Sequence, residues 1–237
     1  MRLSAPIYQL KRRAKLMARN QDIALHKALD LVASEEGFAS WSLLSAQAAR
    51  RPTPPEMLHR LADGDLLLVG ARPGHGKTRL GLQLLLEAVH QGRRGVFFTL
   101  EYTEREARER IRLLDDTMSG IGDALEIVAS DDISADLITN HLADAAPGTV
   151  AVIDYLQILD QRRNKPVLSE QVGTLQGFAG KTGVILAFIS QIDRSFDPRI
   201  RPLPDMRDIR LPNRLDMSLF SKACFLHDGT MQFQLIA

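Results

Sequence analysis

The chain has 237 residues, of which 45% are hydrophobic and 25% charged, with a formal net charge of +1. This composition is typical of a soluble protein with one full domain and a small additional segment, and it excludes extensive disorder. No apolar run approaches the roughly 18 residues of a membrane-spanning helix, and the first residues do not resemble a secretory signal, so we expect a cytoplasmic protein without membrane contact. Cys224 is the only cysteine, which excludes an intramolecular disulfide, and we expect it to be a buried strand residue without a catalytic role.

The charge is unevenly distributed along the chain. Residues 1–60 contain ten lysines and arginines against five acidic residues, and the remainder contains twenty against twenty-four. A basic end of this kind can bind nucleic acid, and a charged, solvated helix face is at least as common a cause. Both interpretations stay open at this point.

The first 50 residues are predicted to form a basic helical segment. Apolar residues recur at three- and four-residue steps across residues 6–19, opposite a row of cations, which indicates an amphipathic helix. A second helix is predicted at about residues 22–36, and a third begins at the N-cap Ser40. We expect the third helix to contribute three side chains to a small helical core, those of Trp41, Leu43 and Leu44.

The stretch RRPTPP follows at residues 50–55. So many prolines disfavour a helix and a central strand, so residues 51–57 are interpreted as a linker to a domain at residues 58–237. Beyond the linker, short apolar runs alternate with helical stretches, which predicts an α/β fold with a mainly parallel sheet and helices on both faces. The predicted strands are 66–69, 96–100, 125–129, 150–153 and 184–190, the predicted helices are about 77–91, 103–119, 133–145 and 168–182, and a hairpin around residues 227–229 is predicted to close the chain.

The segment GARPGHGKT departs from the phosphate-binding pattern G-x-x-x-x-G-K-[ST], because Ala71 occupies its first position. The segment nevertheless follows a predicted strand and leads into a predicted helix, a context in which backbone N–H groups bind phosphate. We therefore predict an ATP site with Lys77 against the β- and γ-phosphates and the Thr78 hydroxyl on Mg²⁺, the alternative being a glycine-rich turn before a core helix. The residues predicted to surround the nucleotide are Arg72, Pro73, Gly74, His75, Gly76, Lys77, Thr78 and Arg79.

Three further candidates end predicted strands beside this loop. Asp154 can hold Mg²⁺ together with Thr78, or it can be a turn or helix-capping aspartate. Glu101 lies between a strand and the capping box that begins at Thr103, where a carboxylate can act as a general base or can merely add acid near a helix N-terminus. Gln191 can sense the γ-phosphate without adding charge, although glutamine is also common at strand ends.

Together these blocks resemble the RecA-like motor domain of bacterial replicative DNA helicases of the DnaB type. The resemblance covers about residues 58–227 and rests on GDLLLVGARPGHGKT, FFTLEYT, VAVIDYLQIL, ILAFISQIDRS, DMRDIR and RLDMSLF. That family also has alanine at the start of its phosphate loop, so Ala71 indicates kinship. The resemblance implies a RecA-like P-loop NTPase fold, a homo-oligomeric ring or hexamer, and ATP hydrolysis in DNA replication. It implies that Lys77 and Thr78 bind nucleotide and magnesium, and that Glu101 is the catalytic carboxylate. It further implies that Asp154 is the acidic residue beside the metal and that Gln191 senses the phosphate.

Two arginine-rich loops would face the central channel of such a ring. One is QRRNKP at residues 161–166, and the other covers residues 193–212. Arginines can grip the backbone phosphates of single-stranded DNA bidentately, or they can pair with the aspartates at 197, 205 and 208 in a solvated loop. The candidate DNA-binding residues are Arg162, Arg163, Arg194, Arg199, Arg201, Arg207 and Arg210.

The sequence departs from the helicase family in two respects. The basic helical segment stands where the family has a primase-contacting domain, and it resembles a segment attached to glyoxalase-related and helicase-like bacterial proteins. The family's arginine finger lies in a K-x-R-x-G stretch, whose nearest match is Lys222-Ala223-Cys224, without the arginine. Two hypotheses follow: a DNA-dependent ATPase that hydrolyses Mg-ATP and binds single-stranded DNA, or a nucleotide-gated adaptor for DNA or protein with weak ATPase activity. A recombination or clock-type ATPase is a third, which FFTLEYT and IDYLQIL match less well.

Overall fold

The computed structural model describes residues 3–5, 7–49, 52–115, 122–160, 166–211 and 213–236. It divides into two compact units, Met1–Arg51 and Pro52–Ala237. None of the helices in these described ranges is both long and apolar enough to cross a membrane. The predicted DNA-binding residues Arg162 and Arg163 lie outside the described residues.

The first unit consists of three helices around a small apolar core. Helix α1 spans Ile7–Asn20, α2 spans Leu25–Glu35 and α3 spans Trp41–Ala49. Helix α2 begins later than predicted because Asp22 adopts a left-handed φ of +50°. The core consists of Leu10, Ala14, Ala28, Val32, Ala33 and Leu44.

The start of α3 confirms the predicted cap, since Ser40 Oγ accepts a 3.3 Å hydrogen bond from the Leu43 N–H. The prediction that Leu43 enters the core is wrong, because its side chain is 56% exposed. Leu44 lies in the core and Trp41 packs against it, as predicted, whereas Leu43 is turned away because one residue corresponds to about 100° around a helix.

A short helix occupies part of the stretch that was predicted to be a linker. Helix α4 spans Pro54–His59, and Thr53 and Glu56 form a reciprocal capping box at its start. The two prolines occupy the first helical positions, where the missing N–H groups have no partner within the helix in any case. Met57 and Leu58 are fully buried in the core of the second unit. The linker prediction is therefore wrong for residues 54–57.

The second unit is built on a seven-stranded sheet. The strands are β1 Leu66–Ala71, β2 Gly95–Thr99, β3 Leu125–Ala129, β4 Val150–Asp154, β5 Ile185–Gln191, β6 Lys222–His227 and β7 Thr230–Leu235. Their spatial order is β3-β2-β4-β5-β1-β6-β7, with only β7 antiparallel to its neighbour. This confirms the predicted mainly parallel sheet, because apolar runs buried on both faces form parallel strands.

Helices cover both faces of the sheet, as predicted. They are α5 Lys77–His90, α6 Glu104–Arg112, α7 Ala135–His141 and α8 Leu168–Thr182. Alternate residues of β1 enter two separate apolar clusters, one containing residues of α4, α5 and α6, the other residues of α7 and α8. Helix α5 lies close to the sheet at Gly81, where a Cβ would be 2.9 Å from side chains of β4 and β5. The loops after β1, β4 and β5 therefore adjoin one another at one edge of the sheet.

The chain closes with the predicted hairpin. Asp228 and Gly229 connect β6 to β7 with φ values of +45° and +76°, as a tight two-residue turn requires. Cys224 is fully buried in β6, and this burial raises the pKa of its thiol. Lys222 is also buried and forms an ion pair with Asp65. The stretch that best matches the family's arginine-finger motif is thus part of a buried strand, and it does not project from the surface.

Candidate nucleotide-binding site

The glycine loop between β1 and α5 has the backbone conformation of a phosphate cradle. Gly74 and Gly76 have φ values of +80° and +86°, which side-chain-bearing residues rarely adopt. Apart from the adjoining residues of the chain, no described atom lies within 4 Å of a Cβ placed at either glycine, so the space beside the loop is open. These two glycines are required by the path of the backbone.

Gly70, the glycine one position before the motif, has a different role. It lies within β1, and a Cβ there would approach the Phe225 ring to 2.9 Å. Ala71 is the last residue of the same strand and is fully buried. The shifted glycine is therefore explained by packing between β1 and β6, and the phosphate loop itself begins after Ala71.

Helix α5 presents its N-terminus to this loop. Gly76 is its N-cap and supplies no capping side chain, so the first N–H groups of the helix have no side-chain acceptor there. Lys77 is the first helical residue and is 9% exposed. Backbone donors, a helix dipole and an ammonium group together favour a phosphate at this position.

Thr78 and Asp154 join α5 to the end of β4. Thr78 Oγ1 donates a 2.8 Å hydrogen bond to Asp154 Oδ2. Asp154 Oδ1 is buried and has no hydrogen-bond partner among the described residues. Burial raises the pKa of Asp154 to about 6, the charge of Glu101 adds to this, and the Thr78 hydrogen bond and Lys77 oppose it. An oxygen pair with one buried carboxylate atom unsatisfied fits Mg²⁺, a hard cation that prefers such ligands.

Glu101 lies two residues beyond β2 at the same edge of the sheet. Its N–H donates to Thr99 Oγ1 at 3.1 Å, and its side chain is exposed. Thr103 and Glu106 form the predicted capping box of α6, which leaves Glu101 outside the helix. Because Glu101 influences the pKa of Asp154, the two carboxylates lie within electrostatic reach of each other.

Tyr102 belongs to this group, although the sequence reasoning missed it. Burial raises the pKa of its hydroxyl, and a hydrogen bond with Thr78 acts in the opposite direction. The guanidinium of Arg110 lies 4.4 Å from the centre of its ring. Tyr102 is the tyrosine of the FFTLEYT block, so the sequence contained it, but only the folded structure brings its ring next to Thr78 of α5.

Two side chains of the phosphate loop contact neighbouring protein segments. Arg72 donates hydrogen bonds to the carbonyl oxygens of Arg194, at 3.1 Å, and Phe196, and its guanidinium lies 5.4 Å from the Phe196 ring centre. His75 stacks on His227 with ring centres 4.7 Å apart, and its Nδ1 accepts from the Asp228 N–H at 2.9 Å. Phosphate contacts of Arg72 and His75 would therefore come from their backbone.

The remaining members of the predicted nucleotide set occupy simpler positions. Pro73 is exposed in the loop, and Arg79 is exposed on α5. Gln191 ends β5 directly opposite Ala71 in the strand register, and its carbonyl oxygen accepts from the Arg210 N–H at 2.8 Å. Gln191 thus lies beside the phosphate loop and is bonded to the arginine-rich loop.

Gln157 was missed by the sequence reasoning and makes a similar connection. Its side-chain nitrogen donates to Ser190 Oγ at 3.0 Å and to the Arg210 carbonyl oxygen at 2.5 Å. The residue follows β4 in a 3-10 helix, Leu156–Asp160, and is 9% exposed. It therefore ties the segment after Asp154 to the end of β5.

The described arginines of residues 193–211 divide into two groups. Arg199 pairs with Asp197, Arg207 with Asp205, and Arg201 with both Asp205 and Asp208. Arg194 and Arg210 form no close ion pair in the described part of the chain, although their charges add to the Ser195 hydrogen bonds that lower the pKa of Asp193. Arg201 is only 25% exposed between two carboxylates, whereas Arg199 is 88% and Arg207 78% exposed, and exposed pairs contribute little stability. The two ion pairs therefore give Arg201 a structural role within the loop. DNA binding by the other arginines stays a prediction.

Comparison with known proteins gives weak but consistent sequence similarity. No protein-family model matches the chain. It is 26% identical over 182 residues to a probable plasmid replicative DNA helicase of Chlamydia muridarum, covering 63% of this chain and 40% of that protein. It is 26% identical over 200 residues to the replicative DNA helicase DnaB of Mycoplasma pneumoniae, covering 67% and 42%. The matches thus span about two fifths of the length of these curated relatives.

Solved structures share the fold. A DnaB-like replicative helicase studied with primase has a TM-score of 0.57 at 18% identity, covering 93% of this chain and 66% of the other. A second solved structure, an ATPase domain, has a TM-score of 0.58 at 19% identity, covering 86% and 83%. A KaiC-like protein of Pyrococcus horikoshii has a TM-score of 0.50 at 18% identity, covering 68% and 70%. The chain therefore has a RecA-like fold and is similar in sequence to replicative DNA helicases of the DnaB type.

Proposed function

We propose that this protein is an ATPase of the replicative-helicase type, which hydrolyses Mg-ATP and is stimulated by single-stranded DNA. The observation that carries the proposal is the Thr78–Asp154 pair at the start of α5, with one buried Asp154 oxygen unsatisfied among the described residues. A buried carboxylate with a raised pKa beside a glycine loop is the arrangement expected of a site completed by a cation.

In this proposal the chain's own groups divide the work of phosphoryl transfer. The N–H groups around Gly74 and Gly76 and the Lys77 ammonium hold the phosphates. Thr78 and Asp154 would hold Mg²⁺, which neutralises charge on the phosphate oxygens when bound. The exposed Glu101 carboxylate, two residues after β2, orients the attacking water and accepts its proton.

DNA enters the proposal through the arginine-rich loop. Gln191 and Gln157 bond to the backbone of Arg210, and Arg72 bonds to the backbone of Arg194 and Phe196. A strand bound by exposed arginines of this loop would shift segments that contact the phosphate loop directly. Coupling then requires only that the loop has two arrangements with different affinities for DNA.

Assembly into a homo-oligomeric ring and a cytoplasmic location complete the proposal. Both follow from the resemblance to replicative helicases, which act on DNA inside the cell. A ring would place several arginine-rich loops around one strand, and several weak phosphate contacts would then act together. Measuring the mass in solution with and without ATP and single-stranded DNA tests this part.

The experiment for the catalytic assignment is an ATPase assay of the full chain with and without single-stranded DNA. DNA should raise turnover, and Glu101→Gln should retain ATP binding while losing hydrolysis. Glu104→Gln is the matched control, because Glu104 pairs with Arg108 on the first turns of α6. Undiminished turnover in Glu101→Gln would reject the role of Glu101.

A nucleotide-gated adaptor is the second candidate. It is favoured by the burial of Lys222 and Cys224 in β6, because this stretch is the nearest match to the family's arginine finger. An arginine finger raises phosphoryl-transfer rates by roughly 10³ or more. Tight ATP binding with hardly any DNA-stimulated turnover would select the adaptor over the ATPase.

A further inference from the structure

Helix α1 carries an unusual charge pattern for a surface helix. Its 14 residues, IYQLKRRAKLMARN, include five cations and no acidic residue. Solvated helices more often mix the two signs and form pairs at four-residue spacing. A helix of one sign repels itself, so a polyanion that neutralises part of this charge would bind there favourably.

Four of these cations lie on one side of the helix. At about 100° per residue, Lys11, Lys15 and Arg19 form a row along α1, and Arg12 lies beside it. Together they cover an arc of about 100°, opposite the buried Leu10 and Ala14. We call Lys11, Arg12, Lys15 and Arg19 the basic face.

The basic face is exposed and carries no internal counter-charge. All four side chains are exposed, and none pairs with an acidic side chain in the described part of the chain. The fifth cation, Arg13, lies outside the face and pairs with Glu35 of α2. The four positive charges of the basic face are therefore available to a negatively charged partner.

Three acidic residues of the first unit are engaged elsewhere. Asp30 accepts from the Trp41 N–H at 2.8 Å, and Glu36 accepts from the backbone and the hydroxyl of Ser4. Glu35 is occupied by Arg13. Three of the four acidic residues of residues 1–51 thus hold the three-helix fold together and do not neutralise the basic face.

The geometry of the row favours duplex DNA. Lys11 to Arg19 covers about 12 Å along the helix axis. Along that length a DNA duplex presents about seven phosphate charges, whereas one of its strands presents about three or four. A duplex therefore carries roughly twice the phosphate charge of one strand over the length of the row, and attracts a rigid row of cations more strongly.

A lipid surface fits this helix less well. Amphipathic helices that bind membranes insert an apolar face into the lipid. In α1 that face is already used, because Leu10 and Ala14 are 1% and 0% exposed in the core of the unit. Leu16 is 50% exposed on the same helix, but one half-exposed leucine among exposed cations is far less apolar surface than an inserted face needs.

We propose that the basic face of α1 binds the phosphate backbone of double-stranded DNA without reading its sequence. This site is separate from the arginine-rich loop of the second unit and would add duplex binding to an ATPase that acts on a single strand. Its lysines and arginines contact phosphates and position the protein on DNA.

The test uses the full chain without nucleotide, so its result does not depend on ATP hydrolysis. The face variant is Lys11→Gln with Lys15→Gln, and the matched control is Arg13→Gln with Lys27→Gln. Both remove two positive charges from exposed positions of the first unit, and the Arg13–Glu35 pair is an exposed one. Thermal unfolding checks that each variant is folded.

The measurement is fluorescence anisotropy with a labelled 20-base-pair duplex, a single strand of equal length and a polyglutamate competitor, at several salt concentrations. For the duplex, the face variant should lose about tenfold or more in affinity, and its slope of log K against log salt should fall by about 1.8. The control should stay within about twofold of the unmodified chain. The single strand should lose less affinity than the duplex.

Three outcomes would overturn the proposal. Equal losses in both double variants would show an effect of net charge alone. Equal losses for the duplex and the single strand would remove the preference for duplex DNA. Stronger competition by polyglutamate than by unlabelled duplex would indicate an acidic protein as the partner.

Discussion

Thr78 and Asp154 meet where α5 begins and β4 ends, and the Thr78 hydroxyl donates to one Asp154 oxygen at 2.8 Å. The other Asp154 oxygen is buried without a hydrogen-bond partner among the described residues. A buried, half-satisfied carboxylate costs folding free energy, and chains retain such groups where a ligand completes them. If the proposed function holds, this carboxylate lowers the stability of the nucleotide-free protein and serves its activity.

Replacing Asp154 by asparagine should stabilise the nucleotide-free protein. Burial raises the pKa of Asp154 from 3.8 to about 6, so keeping it charged above pH 6 costs about 1 to 3 kcal/mol. Asparagine removes that cost. Urea unfolding at pH 7.5 in EDTA should show the increase, while Mg-ATP hydrolysis falls.

The pH dependence gives this prediction its sign. Between about pH 4 and 6 the folded protein holds a proton that the unfolded chain has released, so wild-type stability falls as pH rises through this window. The advantage of Asp154→Asn should be small at pH 4.5, grow to about pH 6.5 and then stay constant. A pH-independent difference would show that the carboxylate charge is not the cause.

Thr78 should be replaceable by serine but not by valine. Serine keeps the hydroxyl that reaches Asp154, whereas valine keeps only the shape of the side chain. Thr78→Val should lower turnover at least about tenfold and raise the Mg²⁺ concentration needed for half-maximal activity. A Mg²⁺ titration of ATPase activity measures both, and equal values for the serine and valine variants would exclude a metal-side role for the hydroxyl.

Substitutions at Gly70 and Ala71, the last two residues of β1, should affect different properties of the protein. Gly70→Ala should cost about 1 to 3 kcal/mol, because its Cβ would lie 2.9 Å from the Phe225 ring. Ala71→Gly would restore the usual first glycine of the motif, and it should leave ATP affinity unchanged. Urea unfolding and ATP titration of both variants measure this. Phe225→Leu should recover part of the stability lost in Gly70→Ala, and no recovery would mean that another contact is responsible.

The elements of the second unit could be predicted because local patterns and tertiary packing agree there. The runs that became β1, β4 and β5 are apolar at consecutive positions, and both faces of the sheet are covered by helices. Helix α4 was missed because Pro54 and Pro55 were taken to disfavour a helix. At the first two helical positions they do not, since those N–H groups have no partner within a helix.

The site was predictable in its backbone and less so in its side chains. Glycine spacing predicts, from short-range sequence alone, the loop with positive φ angles and the helix that follows it, and the structure has both. The orientations of Arg72 and His75 depend on Phe196 and Asp228, more than 120 residues away along the chain. Gln157 was missed for the same reason, because its partner Arg210 is 53 residues away. Contacts of that separation carry no local signature.

The contact between Arg72 and Phe196 should transmit DNA binding to the phosphate loop. Phe196 is 2% exposed and lies beneath the guanidinium of Arg72, with His227 at its edge. Phe196→Leu keeps an apolar side chain and removes the ring, and cation–π contacts contribute about 0.5 to 2 kcal/mol. Stimulation of the ATPase by single-stranded DNA should therefore fall roughly threefold to tenfold, while KM for ATP changes little.

The matched control is Phe233→Leu on β7, which removes a ring whose centre lies 5.8 Å from the Arg60 guanidinium and should leave the stimulation intact. If both variants lost stimulation equally, general loosening of the domain would explain the effect, whereas a loss confined to Phe196→Leu indicates a path through the Phe196 ring, which contacts Arg72 and also lies 5.8 Å from the Arg201 guanidinium.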